Sequence, residues 1–197
     1  MFEPLSADMG ELKLGIAAPE AGSVDQKYFI PLSQLSEILI LDSSFDLLLV
    51  SGASPQQAQV VAESCEKSGT VVAFVESPFH DTTAIWDVMA NISGKLFSTE
   101  MPNNIDVADV RNLVQDSDVL FAFNRINAAI DYLENRASGE VVGGIYLAHR
   151  HTNLAEYEST NQQLLSYVSE YGYLSSSFYS GGRSDSTILL GIRTLPL

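Results

Sequence analysis

Apolar and polar residues alternate along the chain in blocks that predict strands and helices in turn. Residues 46–50 form a short, almost wholly apolar run, which is typical of a strand covered on both faces. Ser54 then begins an amphipathic helix that Gly69 ends, and a second apolar run follows at 70–75. A strand, a helix and a strand in this order predict a right-handed βαβ unit, and therefore a parallel sheet.

The same periodicity predicts the elements of the rest of the chain. They are helices over 82–96, 106–115 and 127–137, strands over 119–123 and 141–148, a longer helix over 154–168 with Gly172 past its end, and strands over 173–179 and 187–193. The turn-rich residues 180–185 predict that the last two strands form an antiparallel hairpin. Residues 1–45 are less regular, and a strand near 12–16, a strand near 27–30 and a helix near 32–40 fit them. These elements could cover the open edge of the parallel sheet.

The elements divide the chain into two halves. Residues 1–95 predict a reduced, Rossmann-like parallel sheet, residues 96–103 a connector, and residues 104–197 an α+β half with its helices on one side. A chain of 197 residues is long enough for one large domain or two small ones. The predicted fold class is therefore α/β.

Composition narrows the choice of partners. The chain has 10 Lys and Arg against 25 Asp and Glu, which gives a net charge of −15. The negative electrostatic potential of such a chain repels phosphate backbones and anionic lipids, so we expect neither a nucleic acid nor a membrane as partner. No apolar run reaches the roughly 18 residues of a spanning helix, and residues 1–10 carry no Lys or Arg, unlike a secretory signal. We therefore expect a cytoplasmic protein.

Few residue combinations indicate metal binding or catalysis. His149 and His151 fall on one face of an extended segment, but no Cys or spaced carboxylate joins them, which favours a solvated strand end over a metal site. Cys65 lies on the inward stripe of its helix and is predicted to be a small buried hydrophobe. No G-x-S-x-G elbow is present, so nothing indicates hydrolase chemistry of that kind.

A specific motif follows the predicted connector. It reads Asn104-Ile105-Asp106-Val107-Ala108-Asp109-Val110-Arg111 and is close to N-x-D-F-A-D-V-R, the synergy-loop motif of FtsZ, the prokaryotic relative of tubulin. From residue 46 to the end the order of elements also resembles that family, including Ser77-Pro78-Phe79 where the family has Lys-Pro-Phe. The resemblance implies that residues 104–197 are similar to the FtsZ C-terminal domain.

The phosphate-binding loops of that family are not found. The family has a cradle of G-G-G-T-G-T-G, whereas this chain has Ser51-Gly52-Ala53-Ser54-Pro55-Gln56-Gln57, with one glycine and a proline that has no N–H to offer. The second loop, G-G-x-G-x-N, has no counterpart in residues 15–22. The chain therefore resembles a reduced, degenerate member of the family, which we expect to bind neither GTP nor another cofactor and to have no GTPase activity.

Two interpretations of Asp106 and Asp109 remain open. FtsZ presents a surface to the GTP of the next subunit, and the resemblance implies that Asp106 and Asp109 belong to the equivalent surface of this chain. That surface consists of Asn104, Asp106, Asp109 and Arg111. We call these four residues the synergy-loop-like surface. The local interpretation is that Asp106 is the N-cap and Asp109 the N3 residue of a helix. The two are compatible if each capping carboxylate keeps one oxygen free.

Three functional hypotheses follow. The first is a non-catalytic FtsZ/tubulin-like protein, with a role in cytoskeletal assembly and cell division, which caps or regulates an authentic FtsZ by contact. An FtsZ filament grows when the synergy-loop face of one subunit joins the nucleotide face of the next. This chain would keep the synergy-loop face and lack the nucleotide face, so it could not extend a filament head to tail. The second is a repurposed binding module with a ligand or partner in the cleft between the halves. The third is a weak nucleotide hydrolase, against which the missing glycines argue. The sequence leaves open whether such an FtsZ exists and whether the chain forms a homodimer.

Overall fold

The described residues form eight strands and six α-helices, and the computed structural model describes residues 11–20, 22, 28–98, 100, 103–135 and 139–194. The strands are β1 Leu14–Ala18, β2 Phe29–Pro31, β3 Leu47–Val50, β4 Val71–Glu76, β5 Val119–Phe123, β6 Glu140–His149, β7 Val168–Tyr179 and β8 Ser186–Arg193. The helices are α1 Glu37–Ser43, α2 Pro55–Ser68, α3 Thr82–Leu96, α4 Val107–Asp116, α5 Ile126–Asn135 and α6 Leu154–Leu165. A 3-10 turn at Leu32–Gln34 precedes α1.

All eight strands belong to one mixed sheet in the spatial order β2-β1-β3-β4-β5-β8-β6-β7. The pairs from β2 to β5 are parallel, whereas β8 runs antiparallel to both of its neighbours. The predicted βαβ unit is confirmed as β3-α2-β4. Its helix begins with a capping box between Ser54 and Gln57 and ends at Gly69, whose φ of 74° lies in the left-handed region. The predicted α/β fold class is confirmed.

The sheet continues without a break across the predicted boundary between the halves. Strands β4 and β5 pair in parallel, with Val75 opposite Leu120 and Glu76 opposite Phe121. The predicted connector, 96–103, lies partly outside the described residues, and residues 1–10 lie wholly outside them. The division into 1–95 and 104–197 therefore remains a prediction, but any two such halves share one sheet.

The predicted hairpin of the last two strands is wrong. Strand β6 lies between β7 and β8 and pairs with β7 in parallel and with β8 antiparallel. The physical reason is burial, because nine of the ten residues of β6 are buried, so that this strand takes a central place with a neighbour on each side. The helix predicted over 154–168 ends at Leu165, and Gly172 lies within β7 rather than past a helix end.

Helices cover both faces of the sheet. One face packs against α3 and α4, through buried residues such as Met89 and Leu113. The other face packs against α5 and α6 at one end and against α2 at the other. The expectation of helices on one side of the second half is therefore wrong, because α4 lies opposite α5 and α6. Strands that are buried on both faces need cover on both. Within the part of the chain that the structure describes, no helix combines the length and apolarity needed to cross a membrane.

Candidate functional site

The predicted surface begins at the amino end of α4, where Asp106 is the N-cap. Its Oδ1 accepts hydrogen bonds from the N–H groups of Ala108 at 2.7 Å and Asp109 at 3.2 Å. These bonds satisfy amides that have no partner within the helix, which explains why the helix starts here. Asp106 is exposed, and its Oδ2 makes no hydrogen bond to the described residues. This oxygen is available to a partner.

Asp109 is held more tightly than its neighbour. Its Oδ2 accepts the N–H of Asp106 at 2.9 Å, which completes a capping box, and its Oδ1 accepts the hydroxyl of Ser175 at 2.6 Å. The expectation that this carboxylate keeps a free oxygen is therefore wrong, because β7 supplies a donor that lies 66 residues away in sequence. The hydroxyl of Tyr173 also points at the backbone carbonyl of Asp109, at 3.5 Å. Burial, with Asp116 and Asp109 nearby, raises the pKa of Tyr173 to about 12.

Further contacts fasten the segment before α4 to the same strand. The side-chain amide of Asn103 donates to the carbonyl of Ser176 at 3.3 Å, and the hydroxyl of Ser177 donates to the carbonyl of Asn103. One residue beyond β7, Ser180 donates its N–H and hydroxyl to the Glu100 carboxylate at 2.7 and 3.0 Å. Serines of this strand and its end therefore fix the loop. Sequence reasoning missed them, because a serine run carries no signal of which distant loop it will face.

An open groove of about 460 Å³ lies between this loop and β7. Its lining consists of Asn103, Asn104, Ile105, Asp109, Leu174, Ser175 and Ser176. The structure thus brings Asn104 and Asp109 together on the groove and places Asp106 next to them. Arg111 is exposed on α4 and does not line the groove. Of the synergy-loop-like surface, Asn104, Asp106 and Asp109 therefore form part of an open, mostly polar rim, and Arg111 stands apart from the groove.

A second concave region lies at the carboxyl ends of β1, β3 and β4. Two adjoining cavities of about 300 and 310 Å³ share the residues Ser51, Gly52, Thr82 and Ile85. We call them together the crevice; their other lining residues are Ala18, Pro19, Glu20, Ala53, Val75, Glu76, Ser77, His80 and Trp86. The chain reverses its direction of winding between β1 and β3, and open parallel sheets bind ligands at such a point.

The crevice has little that would attract a phosphate. At the start of α2 the N–H groups of Ser54 and Gln57 are used by the capping box and Pro55 has none, which leaves Gln56 as the one first-turn donor without a partner among the described contacts. The start of α3 is capped by the carboxylate of Asp81. No Lys or Arg appears among the described lining residues. A phosphate cradle needs several free amides or a cation.

The expectation that His149 lies at a solvated strand end is wrong, because the residue is 3% exposed. Its Nδ1 lies 3.0 Å from the carbonyl of Ser184, so this nitrogen must donate, and its Nε2 accepts from the hydroxyl of Thr187 at 3.0 Å. The amide of Asn91 donates to the same Thr187 oxygen at 2.8 Å. Burial lowers the pKa of His149. Among the described residues, no three His, Cys, Asp or Glu side chains are grouped so that they could hold a metal ion.

Cys65 is fully buried, and burial raises the pKa of its thiol to about 11. The prediction that it is a buried hydrophobe is confirmed.

Comparison with known proteins shows a similarity of fold. No sequence-family model matches the chain, and no curated protein matches it either. Among solved structures, a mutant FtsZ from M. jannaschii is similar with a TM-score of 0.50 and 13% identity, over 81% of this chain and 68% of that one. A CetZ from Methanosaeta thermophila has a TM-score of 0.47 and 12% identity over 81% of this chain and 57% of that chain. The similarity to the FtsZ structure shows that the fold is FtsZ-like, and at 13% identity it shows the fold alone.

Proposed function

We propose that this chain is a non-catalytic, reduced FtsZ/tubulin-like protein that acts by protein–protein contact and caps or regulates the assembly of an FtsZ-type partner. The observation that carries the proposal is the synergy-loop-like surface. Its motif resembles that of FtsZ, and hydrogen bonds attach Asp106 to the start of α4 and Asp109 to β7. Asp106 presents a free Oδ2 while its other oxygen caps α4, and Asp109 is fixed to β7 by Ser175. A fixed rim loses little conformational entropy when it binds a partner.

The crevice supports the non-catalytic part of the proposal. It occupies the position at which an open α/β sheet usually binds its ligand, yet the first turn of α2 leaves one free N–H, that of Gln56, and the charged lining residues, Glu20 and Glu76, are acidic. A chain that offers the synergy-loop face without a nucleotide face can join one end of a filament and then cannot be extended from its own other end. It would act as a cap.

The experiment is a measurement of GTP turnover by purified M. jannaschii FtsZ in the presence of this chain. We expect turnover to fall as the chain is added. Asp106→Asn should weaken this effect by about tenfold, or about 1.4 kcal/mol of contact energy, because it removes the outward charge and keeps an N-cap. The matched control is Asp42→Asn, which removes an exposed carboxylate on α1. Unchanged turnover, or equal effects of both variants, would contradict the proposal.

A second candidate function has a specific observation in its favour, which is the aromatic wall of the crevice. Pro19, Ile85 and Trp86 form an apolar side, and Glu20 and Glu76 supply negative charge. Such a lining favours a small apolar cation over an anion. Both cavities of the crevice are lined by residues of the first predicted half, so this second candidate differs from a ligand site in the cleft between the halves.

Trp86 is the one tryptophan in the sequence, so its fluorescence reports on the crevice directly. We expect phenethylamine to change this fluorescence at lower concentration than phenylacetate, which has a similar shape and the opposite charge. A response to phenylacetate alone, or to neither compound, would contradict this second candidate.

A further inference from the structure

The sheet has two edges in the described part of the chain, and they differ in length. Strand β2 forms one edge with three residues and ends in Pro31. Strand β7 forms the other edge with twelve residues and pairs only with β6. A long edge strand presents a row of backbone N–H and C=O groups to any extended chain that reaches it.

The carboxyl-terminal part of β7 has no charge, proline or bulge of its own to protect it as an edge, although the side chain of Asn103 bonds to the carbonyl of Ser176. A bulge interrupts its start, where Val142 of β6 lies opposite residues 169–172, but residues 173–179 pair with β6 in regular register. Those seven residues contain no Lys, Arg or Pro and no acid. Natural sheets normally place charges, prolines or bulges on exposed edges in order to prevent pairing. Their absence here indicates a strand that is kept available.

The groove described above runs along this available segment. It is lined on one side by Leu174, Ser175 and Ser176 and on the other by the loop that carries Asn103 and Asn104. The amide of Asn103 already donates to the carbonyl of Ser176, so that carbonyl points away from β6 and toward the groove. Successive residues of a strand alternate their direction, so Leu174 and Phe178 share the orientation of Ser176. An added strand would therefore pair with the other outward backbone groups of this segment and would share or displace the Asn103 amide at the carbonyl of Ser176.

The described lining of the groove carries negative charge and no positive charge. Lys95 and Arg150 donate to the carbonyls of Glu100 and Ser180, which do not line the groove. Asp109 is its one charged lining residue among those described, and Asp106 stands beside it. Glu170 does not line the groove but is exposed on β7, in the bulge that precedes Leu174. Tyr171, next to Glu170, is 92% exposed and offers an aromatic face. Carboxylates and an aromatic ring attract Lys and Arg side chains.

We propose that the groove between β7 and the loop of Asn103 and Asn104 binds an extended, basic segment of a partner protein, which adds to the sheet as a further strand. Backbone hydrogen bonds to β7 would supply affinity, and Asp109 and Glu170 would select for Lys and Arg. A second copy of this chain is a poor occupant, because each copy carries a net charge of −15. The inference rests on the proposed function, since both assign a protein partner to this loop and its neighbouring strand.

The test uses three fluorescently labelled peptides and the full chain. The parent peptide has about nine residues of alternating Lys and Val, which span roughly 30 Å when extended. The second peptide has N-methyl groups on alternate residues near its centre, so that one edge stays free to pair. The third has the same number of N-methyl groups on consecutive residues, so that both edges are blocked. The methylated peptides have equal composition and charge, so they separate strand pairing from simple attraction.

We expect fluorescence anisotropy to show that the parent and the alternately methylated peptide bind alike, and that consecutive methylation weakens binding by about tenfold or more. Glu170→Gln should weaken binding of the parent peptide by a few fold. The matched control, Glu63→Gln on the exposed side of α2, should leave it unchanged. Ser176→Pro removes an outward N–H and should weaken binding, and the peptide pair decides the question if this variant fails to fold.

Equal binding of the two methylated peptides would overturn the inference, as would the absence of any binding by the parent. Equal effects of Glu170→Gln and Glu63→Gln would overturn the placement on β7. A concentration-dependent dimer that the parent peptide dissociates would make a second copy the occupant and would also overturn it. Peptide binding without any effect of the chain on FtsZ would leave this inference standing and would reject only the FtsZ partner.

Discussion

The hydrogen bond between the Asp109 carboxylate and the Ser175 hydroxyl should make Asp109 important for the stability of the fold as well as for contact with a partner. Asp109→Ala removes an acceptor for the N–H of Asp106 and the partner of the Ser175 hydroxyl. Losing a cap interaction costs about 1 kcal/mol, and losing a hydrogen bond to a charged group costs about 1.5 kcal/mol for a half-buried site. We therefore expect Asp109→Ala to lower the free energy of unfolding by about 2–3 kcal/mol.

Three companion variants separate the contributions. Asp109→Asn should cost less than about 1 kcal/mol, because the amide can accept from the N–H of Asp106 and donate to Ser175. Ser175→Ala should cost about 1 kcal/mol in the parent chain and much less when Asp109 is already Ala. Asp106→Asn should cost less than about 1 kcal/mol, since Asn caps nearly as well as Asp.

Urea unfolding followed by circular dichroism measures these differences, with an unchanged m-value as the sign that the unfolded state is the same. The reasoning is refuted if Asp109→Ala costs less than about 0.5 kcal/mol, which is the range of an ordinary surface substitution. It is also refuted if Ser175→Ala costs as much in the Asp109→Ala background as in the parent, because the two side chains would then act independently.

The remaining predictions concern the crevice and the buried groups. Calorimetry should show that GTP binds to the chain no more tightly than about 1 mM, and a micromolar constant would contradict the account of residues 51–57. Cys65 should not react with a thiol reagent at pH 8 in the folded chain and should react fully in guanidinium, because burial raises its pKa to about 11. The pKa of His149 is lowered by burial, so its contribution to stability is present above the unfolded pKa of about 6.5 and is lost as the pH falls toward the folded pKa. The free energy of unfolding should therefore fall more steeply between pH 7.5 and 5.5 in the parent than in His149→Gln, and equal slopes would contradict the assignment.

Interactions between near neighbours could be predicted from the sequence. The capping residue Ser54, the terminating residue Gly69 and the cap Asp106 lie within four residues of the groups they satisfy, so local pattern is enough to find them. The predicted bounds of β5 agree with the structure, because polar residues flank the apolar run 119–123 on both sides and the run is too short for a typical helix.

Strand pairing could not be predicted in the same way. The turn residues 180–185 indicate that the chain changes direction, but they do not say which strand it will pair with next. The choice depends on the burial of β6, which gains a neighbour on each side when β7 and β8 flank it. The burial of β6 depends on how the whole sheet is assembled, so it cannot be read from a short segment of the sequence.

The candidate site was predicted in part. The motif from Asn104 to Arg111 marks the loop, but nothing in it identifies Ser175 as the partner of Asp109. The sequence does not reveal the network of His149, because its partners Ser184 and Thr187 lie 35 and 38 residues away along the chain. The sequence alone does not show which residues surround a histidine, so the solvated strand end that it favoured could not be corrected without the fold.

The central claim is that the synergy-loop-like surface contacts an FtsZ-type partner, and co-sedimentation tests it most directly. Purified M. jannaschii FtsZ is assembled with GTP and pelleted in the presence of increasing amounts of this chain. A cap acts on filament ends, so the account predicts that pelleted FtsZ falls well before the two proteins are equimolar, and that Asp106→Asn restores the pellet while Asp42→Asn does not. An unchanged pellet at equimolar chain, or the same loss with Asp106→Asn as with the parent, would contradict the claim.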